Sequence, residues 1–309
     1  MILRREYRRI LVVVFLGFII LGVSILTALP SLMMRELTEL HVDFDVVYDA
    51  EQFGLEATEL TLKTADGYSI NAFDVRGEAP KAVVVFISGI HNPSVTAFFG
   101  HARMFAEHGY ASVLYDMRAH GKSEGDLIGL GYLEVSDTQA VVDYVKGKEE
   151  YRDLPIIVYG LSMGGAVAIN STGRIPEIDG LVSLSAYSSW EDVFADNMMA
   201  MGAPKALAGI LKPFVKLYAL RKFGRQSWST VPKKQIARLG QRPALLMHSL
   251  NDTQVPHANL KRIVASAPSH VETWERPGDH HLITTDFLSP EHDLEYAEVV
   301  LGFLKRHWP

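Results

Sequence analysis

Cysteine is absent from the 309 residues. That excludes disulfides, cysteine-ligated zinc and a cysteine nucleophile, and it suits either side of a membrane. Acidic residues are absent from one long stretch, Asn197 to Asn251. The same stretch holds Lys205, Lys212, Lys216, Arg221, Lys222, Arg225, Lys233, Lys234, Arg238 and Arg242. Such a run is ordinarily a solvated helix face, but one this one-sided also shapes the local field. Over the whole chain the formal net charge is −6, so the remainder is correspondingly acidic and nothing in the total points to nucleic acid. Internal repeats and low-complexity segments are missing too. Charge of either sign is missing from Ile10 to Leu29.

That uncharged run is the first positive signal. Its 20 residues, at a helical rise of ~1.5 Å each, span the ~30 Å of a bilayer's hydrocarbon core. Arg4, Arg5, Arg8 and Arg9 precede it against a single Glu6, and Glu36, Glu39, Asp43 and Asp45 follow it. The positive-inside bias puts the N-terminus in the cytoplasm and the body of the chain on the extracytoplasmic side. A cleaved signal peptide needs a shorter apolar run and small residues at its cleavage site; here Leu26 and Leu29 flank Thr27-Ala28. The expected division is a basic cytoplasmic segment 1–9, a single-pass transmembrane anchor 10–29, a polar connector 30–56 opened by Pro30, and a folded domain 57–309.

Within that domain the patterning alternates between two periods. Glu59–Lys63 and Tyr68–Val75 read as a hairpin around Asp66-Gly67. Short continuous apolar runs follow at Val83–Ile87, Ala111–Tyr115, Pro155–Tyr159, Leu181–Leu184 and Pro243–Met247, the pattern of strands buried on both faces. Helical spacing fills the gaps at Ala97–His108, Leu133–Val145 and Met163–Ser171, each closed by a glycine, and at Glu291–Arg306. Strands alternating with helices predict a mostly parallel sheet covered on both faces. Residues 190–235 interrupt the alternation. They are too long for an ordinary connection and mostly apolar, which predicts a helical cap inserted over one end of the sheet.

Gly160-Leu161-Ser162-Met163-Gly164 is a G-x-S-x-G motif. Alone it is weak; its value comes from the apolar strand running into it and the helix running out, the sharp turn that lifts a serine hydroxyl clear of a sheet. A serine hydroxyl is a poor nucleophile until a neutral imidazole takes its proton, and a carboxylate must hold that imidazole in one tautomer. Asp252 lies in the loop after the strand at Pro243–His248, where ligands gather in open α/β sheets. His280 and His281 lie in the loop after Val271–Trp274, and either could be the base. Asp252 could also be a turn residue, with Asp192 as the alternative acid. His120 and Arg118 read as structural loop residues, and His91 as a pocket residue. A metal site built from His280, His281, Asp279 and Asp286 lacks clean ligand spacing.

Taken together, these residues resemble the α/β-hydrolase superfamily from about residue 57 to the end. Gly160–Gly164 matches its nucleophile elbow. Asp116–Ser123 is similar to its D-x-R-G-x-G-x-S loop, with Ala119 for the first glycine. His248–Pro256 is similar to its H-G-x-x-D-x-x-V-P acid loop, with Ser249 for glycine. Gly278–His281 fits its G-x-x-H loop. The nearest flavour is the small-esterase, monoacylglycerol-lipase-like and serine-aminopeptidase-like group. The resemblance implies an α/β-hydrolase fold and a Ser162–Asp252–His281 triad. It also implies an oxyanion hole from the backbone N–H groups of Ile90 and Met163, although Ser88-Gly89-Ile90 stands where the family usually has histidine before the glycine. The expected activity is ester hydrolysis of a small-molecule or lipid acyl substrate through an acyl-enzyme, needing no cofactor or metal. Amide hydrolysis by the same residues, or a non-catalytic membrane-tethered binding protein, are the alternatives. Expected partners are the acyl substrate and the membrane, met through the N-terminal helix and the basic cap.

Overall fold

The computed structural model describes residues 2–309, with side chains from Tyr7 onward. The side chains of Arg4, Arg5 and Glu6, on which part of the orientation argument rests, lie outside the described residues. In chain order the elements are α1 (Ile2–Thr38), β1 (Ala57–Lys63), β2 (Ser69–Val75), β3 (Val83–Ile87), α2 (Phe99–Ala106), β4 (Ala111–Tyr115), α3 (Val135–Gly147), β5 (Ile156–Leu161), α4 (Met163–Thr172) and β6 (Gly180–Leu184). Then come α5 (Trp190–Ala200), α6 (Lys205–Phe223), α7 (Gln226–Ser229), α8 (Pro232–Gln235), β7 (Ala244–Ser249), α9 (Ala258–Val264), β8 (Glu272–Arg276) and α10 (Leu294–His307).

The eight strands form one sheet in the order β1-β2-β4-β3-β5-β6-β7-β8. The hairpin β1–β2 is antiparallel, β2 meets β4 antiparallel, and every pair from β4 to β8 is parallel. The continuous apolar runs have a direct consequence, because successive residues of a strand face opposite sides. Val83, Val85 and Ile87 enter the core on one face with residues of α4, while Val84 and Phe86 enter a second core beside α2 and α10. Both faces are dry, so the strands cannot alternate with polar residues. Between β6 and β7 come the four helices α5 to α8, and side chains of α5 meet Ser162 around one cavity at the carboxyl end of β5.

Helix α1 departs from the expectation in an instructive way. Its stretch from Tyr7 to Thr38 is the one helix among the described residues long and apolar enough to cross a membrane, and its most apolar window has a mean hydropathy of 3.0. The helix does not end at Pro30. Proline lacks the N–H for the intrahelical bond and costs about 3 kcal/mol in a helix interior. Tertiary contacts past Pro30 offset that cost. Met34 is buried, with the Trp190 indole N–H directed at its sulfur. The Thr38 hydroxyl lies 3.1 Å from the Tyr218 hydroxyl, the Thr38 carbonyl accepts from Ile128 N at 2.8 Å, and Lys222 Nζ reaches Glu39 at 2.6 Å. Residues 31–38 are therefore the docked end of α1 rather than free connector. Beyond them Val42 exchanges backbone bonds with Ala119 and Gly121 at 2.8 and 2.9 Å.

Candidate active site

Strand β5 delivers Ser162 at φ 57° and ψ −117°, with α4 beginning at the next residue. A positive φ is costly for any residue with a Cβ, so the turn persists only because its surroundings over-determine it. Ser162 N donates to the Leu184 carbonyl at 2.8 Å, and the Ser162 carbonyl accepts from Ala166 N at 3.0 Å. The flanking glycines are set by close approach. A Cβ at Gly160 would stand 2.1 Å from the Gly164 carbonyl oxygen, and one at Gly164 would stand 2.2 Å from that of Ser88. Met163 opens α4, so its amide is one of the unpaired donors at the positive end of the helix dipole.

The loop after β3 carries Ile90. Histidine is missing before Gly89, but other residues fix the loop: the Ser88 hydroxyl donates to the Pro93 carbonyl, and His120 Nε2 donates to the Ile90 carbonyl. His120 is thus more than a loop residue, since it ties the segment carrying Ile90 to the segment docked on Val42. Arg118 is structural, as expected. It pairs with Asp137 and Asp66, each at 2.7 Å, and lies over the Tyr68 ring. Ala119, where the family has glycine, sits at φ 62°.

Asp252 and His281 meet behind the serine. His281 Nδ1 is 2.8 Å from Asp252 Oδ2, while Asp252 Oδ1 accepts from Gln254 N and Val255 N, each at 2.9 Å. Burial pushes the Asp252 carboxyl up, but the hydrogen bond and charge of His281 and the Val255 amide outweigh it, leaving its pKa below the usual carboxylate value. An ionised carboxylate only accepts, so Nδ1 carries the proton and Nε2 is left with a lone pair. The two loops are stapled together. Thr253 N and Oγ1 donate to Asp279, and Ser249 Oγ, standing where the family has glycine, donates to Gly278 O and accepts from His280 N. His248 Nε2 donates to the Val255 carbonyl at 2.7 Å and holds the acid loop from within.

Ser162, His281, Ile90 and Gln254 line two adjoining cavities. One, of about 370 Å³, is walled by Met163, Trp190, Phe194, Met198 and Met201, and by Met33, Met34 and Leu37 of α1. The other, of about 570 Å³, is lined by Tyr48, His91, Asn92, Leu282 and Phe287. Among the described residues no hydrogen bond joins Ser162 to His281; such contacts commonly tighten only when substrate is bound. The structure brings Ser162, His281, Ile90 and Met163 to one cavity, with Asp252 behind the imidazole. His280 does not meet Asp252. The residues that sequence reasoning missed are His120 as a brace, Gln254 between the cavities, and the three α1 side chains. Only the Met33-Met34 pair just past the apolar run gave any hint of the last.

Asp192, the alternative acid, is engaged elsewhere. Its carboxylate meets Lys212 at 2.8 Å and Lys233 at 2.6 Å, and it accepts from the hydroxyls of Ser188 and Ser189. The acid-free window is therefore not an acid-free surface. Lys212 and Lys233 are spent on Asp192, Lys222 on Glu39, and Lys216 lies 3.9 Å from the centre of the Trp228 ring. Burial raises the Asp192 carboxyl, but hydrogen bonds from Lys212 and Lys233 hold it well below the usual range. A depressed carboxylate pKa stabilises the fold above the unfolded value near 4, and that stability is lost as pH falls through the folded value. Asp192→Asn is expected to cost roughly 2 kcal/mol at pH 7, less than a fully buried pair because both lysines reach solvent. Thermal melts at pH 7 and pH 3.5 check this: the gap between variant and parent should narrow at the lower pH.

This sheet order, with its strained serine between β5 and α4, defines an α/β hydrolase. The family model described as serine aminopeptidase, S33, matches residues 78–241, more than half of the chain, and the chain belongs to that family. Among solved structures, the esterase Pf2001 of Pyrococcus furiosus superposes with a TM-score of 0.64 at 23% identity, covering 86% of this chain and 98% of that one. The uncharacterized protein YqkD of Bacillus subtilis is 24% identical over 221 residues, 71% of this chain and 70% of its own length. The α/β hydrolase domain-containing protein WAV2 of Arabidopsis thaliana is 28% identical over 187 residues, 52% of this chain and 54% of its own.

Proposed function

We propose that the protein is a membrane-anchored serine hydrolase that cleaves carboxylic esters, with Ser162 as nucleophile, His281 as base and Asp252 as the group that orients the base. The carrying observation is the 2.8 Å contact between His281 Nδ1 and Asp252 beside a cavity shared with the strained Ser162. Ser162 Oγ attacks the acyl carbon while its proton passes to His281 Nε2. The carbonyl oxygen becomes an oxyanion facing the N–H groups of Ile90 and Met163, donors that cost no reorganisation when charge develops. His281 then gives its proton to the leaving oxygen, the alcohol departs, and the acyl group remains on Ser162. Water enters, loses a proton to His281 and attacks the acyl carbon. The carboxylic acid leaves and the proton returns to Ser162. Asp252 stays ionised throughout, as its lowered pKa favours. The apolar cavity suits the acyl chain, and the cavity of Tyr48, His91 and Asn92 suits the alcohol.

The exposed apolar stretch of α1 supports single-pass anchoring, and the flanking charges support an extracytoplasmic hydrolase domain. The family description, serine aminopeptidase, favours amide hydrolysis as a second reading. A panel of p-nitrophenyl esters and aminoacyl anilides separates the two. Turnover of the esters but not the anilides is expected; the reverse preference would make the protein an amidase.

A further inference from the structure

One wall of the apolar cavity lies outside the hydrolase fold. Met33, Met34 and Leu37 come from the last turns of α1, and they share the cavity with Ser162 and with Met198 and Met201 of the cap region. A helix that served only as an anchor could end where its apolar run ends. This one continues through Pro30 and is held by Trp190, which also lines the cavity, and by Tyr218 and Ile128, with Lys222 on Glu39 just beyond its end. The wall also reaches the exposed apolar surface of α1. Met33 is 41% exposed and Met201 81% exposed, although both line the cavity. Leu29 and Leu32 of α1 and Ile210 of α6, which packs against α1, are exposed as well. Leu29, Met33 and Leu37 follow one another at i, i+4 and i+8, so an apolar stripe runs along α1 from its exposed turns to the cavity. Isolated exposed apolar side chains are ordinary; a contiguous patch marks an apolar partner. The partner of the rest of α1 is the bilayer.

We propose that the end of α1 is a wall of the acyl site and that the substrate is a lipid-like acyl ester taken sideways from the bilayer leaflet next to the hydrolase domain. This rests on the membrane-anchored ester-hydrolase reading above. An apolar chain entering along α1 never crosses water, whereas one entering from solution must first leave a micelle or membrane. The cavity of about 370 Å³ beside the serine, walled by Met33, Met34 and Leu37, receives the acyl chain, and the adjoining cavity, where His91 and Asn92 stand among Leu161, Leu282 and Phe287, takes the alcohol.

The test uses the full chain in phosphatidylcholine vesicles, with p-nitrophenyl acetate, hexanoate and dodecanoate, comparing wild type with Leu37→Ala and Leu37→Trp. Leu37→Trp fills the wall and is expected to lower the dodecanoate-to-acetate ratio of kcat/KM about tenfold, the scale on which a few methylenes discriminate. Leu37→Ala enlarges the site and is expected to raise the same ratio. Misfolding cannot produce shifts of opposite sign. Ile210→Asp, exposed on α6 and outside the cavity lining, is expected to lower the ratio in vesicles. Unchanged ratios in both Leu37 variants, or a parallel fall for every ester, would overturn the wall. An unchanged ratio in Ile210→Asp would overturn entry from the leaflet. A wild type that cleaves no ester would overturn the underlying reading instead.

Discussion

Replacing Ser162 with alanine is expected to reduce ester turnover by on the order of 10⁴-fold or more while leaving the melting temperature within about 2 °C. The asymmetry follows from what the hydroxyl does. On the proposed mechanism, removing Oγ removes the acyl-enzyme route altogether, leaving only positioning and the Ile90 and Met163 amides to act on water. The backbone contacts that hold the turn, to Leu184 and Ala166, do not involve Oγ and remain. Asp252→Asn is expected to be milder, about 10³- to 10⁴-fold, because the serine and imidazole persist while an amide no longer enforces the Nδ1–H tautomer. Initial rates on a short ester, with a melt of each variant, check both effects. A Ser162→Ala protein retaining a tenth of the activity would place the chemistry elsewhere.

The second large effect falls on stability. A methyl group at Gly164 would stand 2.2 Å from the Ser88 carbonyl oxygen and 2.4 Å from that of Ile87. These are backbone atoms of β3 and of the loop carrying Ile90, so neither can swing away as a flexible side chain would. Gly164→Ala is expected to cost roughly 3 kcal/mol or more, a fall in melting temperature of at least about 6 °C, and to displace the Ile90 amide. Gly209 in α6 is the control, since a Cβ there would meet nothing within 4 Å. Gly209→Ala is expected to be neutral or stabilising by up to about 1 kcal/mol, because alanine is the better helix former. Equal melting temperatures for the Gly164 and Gly209 variants would contradict the packing argument.

The contrast between these glycines also shows which parts of the molecule the sequence makes legible. Gly160 and Gly164 flank a serine between an apolar run and a helical period, and local patterning of that kind is enough to place the turn. The sheet is legible for a similar reason: strands dry on both faces leave long apolar runs such as Val83–Ile87. Asp252 and His281 stand out as candidates from their loops and chain order; the residue pattern alone leaves His280 open, the G-x-x-H spacing from Gly278 selects His281, and the contact with Asp252 agrees with that choice. What escapes is set by contacts between distant residues. Nothing near Lys212 or Lys233 signals that Asp192 neutralises both, so the cap reads as more cationic than it is. Pro30 reads locally as a helix stop, and only docking onto Trp190 and Tyr218 carries α1 to Thr38. The brace from His120 to Ile90 spans 30 residues and has no local mark.

If the Ser162 hydroxyl is activated by its surroundings, it should react with a phosphonylating reagent where ordinary serines do not. The full-length protein in detergent is treated with a fluorophosphonate, and adducts are located by peptide mass. A single adduct is expected on the peptide containing Ser162, absent from Ser162→Ala and from heat-denatured protein, and formed far more slowly in Asp252→Asn. Absence of any adduct in the native protein, or equal labelling of native and denatured chains, would contradict that activation.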